Sequence, residues 1–195
     1  MNYLAHALLA GPAPADRAGG VAGDFVKGLL PGALPADLAA GVALHREIDA
    51  FADLHPAFAA SRARVSPVRR RYGGIMVDLF YDHLLAVHWA RFSPDETLAQ
   101  FTGRLYAELA RQPALPAHFA AVLPRMAETD WLASYRDMAN VAFALDRMAS
   151  HRIRRANPLA GAADELRDHY AGFEADFLDF MPDALAYAQQ VRLSR

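Results

Sequence analysis

Asp82 and His83 sit side by side in GGIMVDLFYDHLLAVHWARF, a stretch apolar enough to belong in a core. Ionisable groups are rarely buried without a partner, so a carboxylate beside an imidazole here points to a metal or catalytic site. Asp78 lies one helical turn before Asp82 and shares its face, with His83 about 100° round. His45 and Asp49 have the same four-residue spacing. One helix face can then supply two ligands, or a ligand and the carboxylate that orients it. Asp24 in GDFVKG and His6 in MNYLAHALL add candidates in similar apolar surroundings. Each has an ordinary reading alone: a surface pair, a capping acid, a core histidine. Their company is what suggests chemistry. The chain has no cysteine, which excludes thiolate ligands, thiol nucleophiles and disulfides. A set of His and Asp suits hard or borderline divalent ions: Mn²⁺, Mg²⁺ or Fe²⁺, with Zn²⁺ also compatible. Such ions polarise phosphoryl oxygens and activate water, so phosphoester hydrolysis is the reaction these ingredients fit best.

The elements that must position these residues read as helices. Ala and Leu dominate, helix-period apolar patterns recur, and alternating β-branched segments are missing. The patterns predict helices over about 2–10, 15–30, 35–52, 55–65 and 66–92. Ser66 and Pro67 are placed to start the last of these, and Gly73-Gly74 to kink or split it. Ser93-Pro94-Asp95-Glu96 opens another through about 111. Helices over 116–127, 129–150 and 161–192 follow, with Pro182 bending or breaking the last. There is no internal repeat, and the expected architecture is one all-α domain over residues 1–195.

Net charge is −2, so the chain as a whole is no polycation, and no aromatic-interleaved basic groove suggests nucleic acid. No signal peptide or apolar run of membrane-spanning length is evident, so the expected location is cytoplasmic, with no membrane partner. Local basic runs do occur. Arg62, Arg64, Arg69, Arg70 and Arg71 fall just before the Asp82-His83 helix, and a second run covers residues 151–155. Both are either solvated faces or docking patches for an acidic or phosphorylated partner.

Several motifs occur in order: Asn2-Tyr3-Leu4-Ala5-His6, Gly23-Asp24-Phe25-Val26-Lys27-Gly28, His45-Arg46-x-Ile48-Asp49, Asp53-x-His55-Pro56, Asp78-x-x-Tyr81-Asp82-His83 and Asp130-Trp131-Leu132. Together they resemble the acyl carrier protein phosphodiesterase family (ACP hydrolase), across nearly the whole chain. The resemblance implies a helical, metal-dependent enzyme from a divergent branch of the HD phosphohydrolases, with Mn²⁺ favoured. It implies hydrolysis of the phosphodiester joining 4′-phosphopantetheine to a serine of holo-acyl carrier protein, giving apo-carrier protein. The dyad here reads Asp82-His83, the reverse of the usual HD order. From local context, the expected metal shell is Asp24, His45, Asp82 and His83, with His6 and Asp49 as further ligands or orienting groups. Lys27 or Arg46 would stabilise phosphate charge. Arg62, Arg64, Arg69, Arg70 and Arg71 would dock the acidic carrier, with steering that weakens in salt. Two other functions fit the residues: an HD-type phosphohydrolase acting on a nucleotide or small phosphoester, and a non-catalytic helical binding module whose His/Asp set is structural.

Overall fold

In the computed structural model, which describes residues 1–152 and 156–195, every regular element is helical. The side chains of the basic run 151–155 lie outside the described residues. Twelve α-helices are described: α1 (Tyr3–Leu9), α2 (Pro14–Ala22), α3 (Ala36–Leu54), α4 (Pro56–Arg64), α5 (Gly73–Val87), α6 (Trp89–Phe92), α7 (Leu98–Ala110), α8 (Ala117–Glu128), α9 (Trp131–Ser134), α10 (Met138–Arg147), α11 (Ala163–Asp168) and α12 (Tyr170–Leu193). One hydrophobic core draws on nearly all of them, with Tyr81, Tyr135, Phe80, Phe119, Phe173, Phe177 and Phe180 among its largest side chains. Helix α5 is its axis: eleven of fifteen residues are buried, including Asp82 and His83.

Glycines set the closest helix approach. A Cβ on Gly19 of α2 would lie 2.5 Å from the Gly41 carbonyl carbon and the Val42 nitrogen of α3. The α2 and α3 backbones therefore touch, which no side chain at either position would permit. This contact carries α3, with His45 and Asp49, up to the end of α2.

Several helices are shorter than their apolar patterns predict, and each break has a local cause. The helix expected over 15–30 stops at Ala22 and passes into a 3₁₀ turn, Gly23–Phe25. Gly28, at φ +87°, and Pro31 lie beyond it, and neither continues a helix. The helix expected over 66–92 starts only at Gly73, after a 3₁₀ turn Arg70–Tyr72, and breaks again at His88. Ser66 caps nothing there, because its amide and hydroxyl both donate to Glu165. The capping box before α7 is formed by Thr97 and Gln100 instead of Ser93 and Glu96. The expected 129–150 helix starts only after Asp130, whose φ of +42° is left-handed, and is interrupted between Ser134 and Met138, where the Asp137 side chain caps α10. The C-terminal helix is split at His169, while Pro182 lies inside α12 without ending it.

Candidate metal centre

Three elements meet at the candidate site. His6 projects from α1, Asp24 from the 3₁₀ turn after α2, and His45 and Asp49 from one face of α3. His6 Nε2 lies 3.1 Å from Asp49 Oδ1, and His45 Nε2 lies 3.2 Å from Asp49 Oδ2 and 3.6 Å from Asp24 Oδ1. The two imidazoles stack, with ring centroids 3.9 Å apart. Among the described residues, the group whose potential ligand atoms all lie within 4.8 Å of one another is His6, His45 and Asp49.

Local packing fixes His45. Its Nδ1–H donates to the Gly20 carbonyl at 2.8 Å, which turns Nε2 toward the carboxylates. That is the orientation a metal-ligating histidine requires. Gly23 closes the other side: a Cβ there would lie 2.4 Å from His45 Cγ. His6 is fully buried, and its Nδ1 has no hydrogen-bond partner.

The charges are divided unevenly. Burial opposes a charge on His45, but the hydrogen bonds it donates to Asp24 and Asp49 outweigh it and lift the ring to about 9. Burial and the neighbouring His45 push His6 down to about 4. His45 therefore carries the proton near neutrality, and His6 is neutral. Burial raises the Asp49 carboxyl, but its bonds to His45 and His6 and the nearby Met1 ammonium win and hold it well below the usual range. The bond to His45 lowers Asp24.

The group opens onto a cleft of about 200 Å³ lined by Met1, Asp24, Asp49, Ala52, Asp53, Phe58, Gly74 and Asp78. The Met1 ammonium reaches Asp49 at 2.9 Å and Asp78 at 3.0 Å. Asp78 was a partner for Asp82 in the sequence pattern; in the fold it faces this cleft, and burial raises its carboxyl.

The structure does not bring Asp82 or His83 into the group. Asp82 is wholly buried, and its two oxygens accept from the Leu4 amide at 3.0 Å and the Ala5 amide at 2.9 Å. These are first-turn amides of α1, which lack intrahelical partners. Asp82 thus caps α1 from a distant point in the chain. His83 Nδ1–H donates to the Tyr135 carbonyl at 2.8 Å, and its Nε2 accepts from the Tyr170 hydroxyl at 3.3 Å.

The basic residues also divide. Arg62 pairs with Asp53 at 3.0 Å, and Arg64 grips Asp176 through two nitrogens, at 2.8 and 3.1 Å. Arg69 binds Glu165 and the Pro158 and Ala160 carbonyls. Arg70 and Arg71 are exposed, with no ion-pair partner among the described residues. Lys27 is exposed beyond the Asp24 turn, and Arg46 donates to the Val26 carbonyl at 3.2 Å beside it.

Comparison with known proteins now bears on this geometry. The model of the family described as acyl carrier protein phosphodiesterase matches residues 1–184. The chain belongs to that family. It is similar to proteins named acyl carrier protein phosphodiesterase from Yersinia pestis, 33% identical, and Salmonella agona (strain SL483), 34% identical. A third, from Enterobacter sp. (strain 638), is 32% identical. Each alignment spans 194 residues, 99% of this chain and 100% of the relative. No solved structure matches the chain. No helix among the described residues is long and apolar enough to cross a membrane.

Proposed function

We propose that this phosphodiester hydrolase releases 4′-phosphopantetheine from the serine of holo-acyl carrier protein, using a divalent cation held by His6, His45, Asp49 and Asp24. One observation carries the reading. The cleft beside these residues is lined by four aspartates, against which the lining sets one cation, the Met1 ammonium between Asp49 and Asp78. Four carboxylates against one ammonium leave an excess of negative charge that repels an anionic phosphodiester unless a further cation sits among them. The donor set suits that cation, since imidazole and carboxylate are the ligands Mn²⁺ accepts, with Mg²⁺ and Fe²⁺ next in line. Once bound, the ion supplies Lewis-acid polarisation of the phosphoryl group and activation of a water.

The chain's own residues do the rest. The Gly20 carbonyl holds His45 by Nδ1, so its Nε2 loses a proton when it becomes a ligand. Asp49 offers one oxygen to each imidazole. Asp24, about half exposed, stands between the buried pair and solvent, where the phosphoryl group enters. Lys27 and Arg46 lie beyond it and offset phosphate charge. Asp82 and His83 support the site indirectly, through α1 and through packing to Tyr135 and Tyr170.

The test is mass spectrometry of holo-acyl carrier protein incubated with the enzyme and Mn²⁺. The expected result is loss of the phosphopantetheine mass, abolished by His45→Ala or by chelation. An intact carrier after incubation with wild-type enzyme and Mn²⁺ would refute the reading. Turnover of bis-p-nitrophenyl phosphate with the carrier left intact would favour a small-phosphoester hydrolase.

A further inference from the structure

The cleft needs cations at its rim as well as within it, and the five arginines do not contribute equally. Segment 66–75 leads into the cleft wall at Gly74. Gly74 lines the cleft, and Ile75, the next residue, is 41% exposed. The segment is pinned from below at two points. Ser66 bonds Glu165 through its amide at 2.7 Å and through its hydroxyl, and Arg69 makes three further bonds to Glu165, Pro158 and Ala160. Tyr72, three residues after Arg69, packs inward on the core. A 3₁₀ turn places residues three apart on one side. With Arg69 and Tyr72 turned inward, Arg70 and Arg71 face solvent, and Val68 is 70% exposed. The result is a pinned strip leading to the cleft-lining Gly74, with two guanidinium groups that have no ion-pair partner among the described residues and two exposed aliphatic side chains.

From this we infer that Val68, Arg70, Arg71 and Ile75 form the docking strip for the acidic face of the carrier protein, while Arg64 and Arg69 fasten the fold and Arg62 is taken by an exposed pair with Asp53. The inference rests on the hydrolytic reading above for its partner. Charge complementarity selects an acidic surface, and the aliphatic pair selects one with apolar side chains among its carboxylates. Because Arg69 and Ser66 fix the strip beforehand, docking sacrifices little further conformational freedom. The basic residues after Asp24 are less suited: Arg46 is engaged by the Val26 carbonyl, and Lys27 is assigned above to phosphate charge.

The experiment measures binding of fluorescently labelled holo-acyl carrier protein to the full-length enzyme by anisotropy, at low and high salt. Arg70→Glu/Arg71→Glu is expected to weaken Kd about tenfold at low salt and to flatten the salt dependence. Val68→Ser/Ile75→Ser weakens Kd at both salt levels. If the reversal perturbs folding, Arg70→Ala/Arg71→Ala gives the same comparison without added negative charge. Unchanged Kd in these variants overturns the strip, as does weakening seen only in Lys27→Glu/Arg46→Glu. Tight binding without phosphopantetheine release by wild type sinks the hydrolytic reading and leaves the strip standing. Release by wild type with unchanged binding in the variants does the reverse.

Discussion

Asp82→Ala separates two roles that the sequence alone does not distinguish. The Leu4 and Ala5 amides donate to the two Asp82 oxygens in a fully buried setting, and Asn2, at the N-cap of α1, makes no side-chain cap bond. Removing the carboxylate strands two buried N–H groups, each costing about 1–3 kcal/mol, or about 2–6 kcal/mol together. At about 2–4 °C per kcal/mol for a chain of this size, the expected fall in melting temperature is about 4–24 °C. The fall depends on pH. Burial pushes the Asp82 carboxyl from 3.8 up to about 7, with the Leu4 and Ala5 amides opposing that shift. For a carboxyl raised in this way, the stability it contributes is fully present below its unfolded pKa and is lost as pH rises through about 7. About 4 kcal/mol is at stake across that window. Wild type and variant should therefore differ most below about pH 4, and the gap should close as pH rises through about 7. The assay is thermal unfolding followed by circular dichroism, alongside Mn²⁺ content by elemental analysis. A capping role predicts a lowered melting temperature with Mn²⁺ still bound to the folded fraction. A variant that melts like wild type at acid pH yet holds no Mn²⁺ would show that Asp82 is a ligand and that the capping argument is wrong.

His6 and His45 should give the metal-free protein opposite pH limbs. His45 is lifted from 6.5 to about 9, so its contribution is full below about pH 6.5 and is lost as pH rises through 9, by about 3 kcal/mol. His6 is depressed from 6.5 to about 4, so its contribution is present above about pH 6.5 and is lost as pH falls through 4, by a similar amount. Urea melts across pH should show His45→Ala flattening the alkaline limb and His6→Ala the acid limb; unaltered limbs would refute the charge division. Gly23→Ala drives a Cβ against the His45 ring and should weaken Mn²⁺ affinity at least tenfold, the scale of lost ligand orientation, in a calorimetric titration. Affinity equal to wild type would mean that the turn does not hold the ring. Arg64→Glu places a second carboxylate against the buried Asp176, which also accepts from Ser61 at 3.0 Å; with the Arg64 side chain itself 38% exposed, the expected destabilisation is about 1–3 kcal/mol in urea unfolding. A stable Arg64→Glu enzyme with weakened carrier binding would restore Arg64 to the docking surface.

The helical class was legible because the apolar spacing of these segments is a local property, and burying the stripes gives the helices their stability. The breaks were less legible because tertiary partners decide them. Ser66 has the sequence of a cap but is taken by Glu165, and Asp130 turns left-handed within a stretch that reads as continuous helix. At the site, the His45–Asp49 pairing was readable from spacing, since α3 alone aligns the two residues. His6 and Asp24 were visible only as ionisable residues in apolar surroundings, and their partners were not, because only the α1–α2–α3 packing brings them within reach. The glycines that make this packing possible carry a weaker signal. Gly19, Gly20, Gly23 and Gly41 lie in or next to helices, where glycine is disfavoured by about 1 kcal/mol relative to alanine. That unfavourable choice is explained once the α2–α3 backbone contact and the His45 ring are in place.

Asp82-His83 is the instructive case. A buried carboxylate beside a buried imidazole does demand partners, and that inference was sound. The demand can be met by a metal, by other side chains or by the backbone, and periodicity does not distinguish among them. Here the backbone meets it. Asp82 takes the free amides at the start of α1, His83 takes the Tyr135 carbonyl, and α1 in turn carries His6 to His45. A buried acid on a core helix is therefore best tested against helix starts nearby before it is counted as a ligand. The unpaired amides of a first turn offer a carboxylate two donors and a favourable dipole, a site that needs no ion to be satisfied.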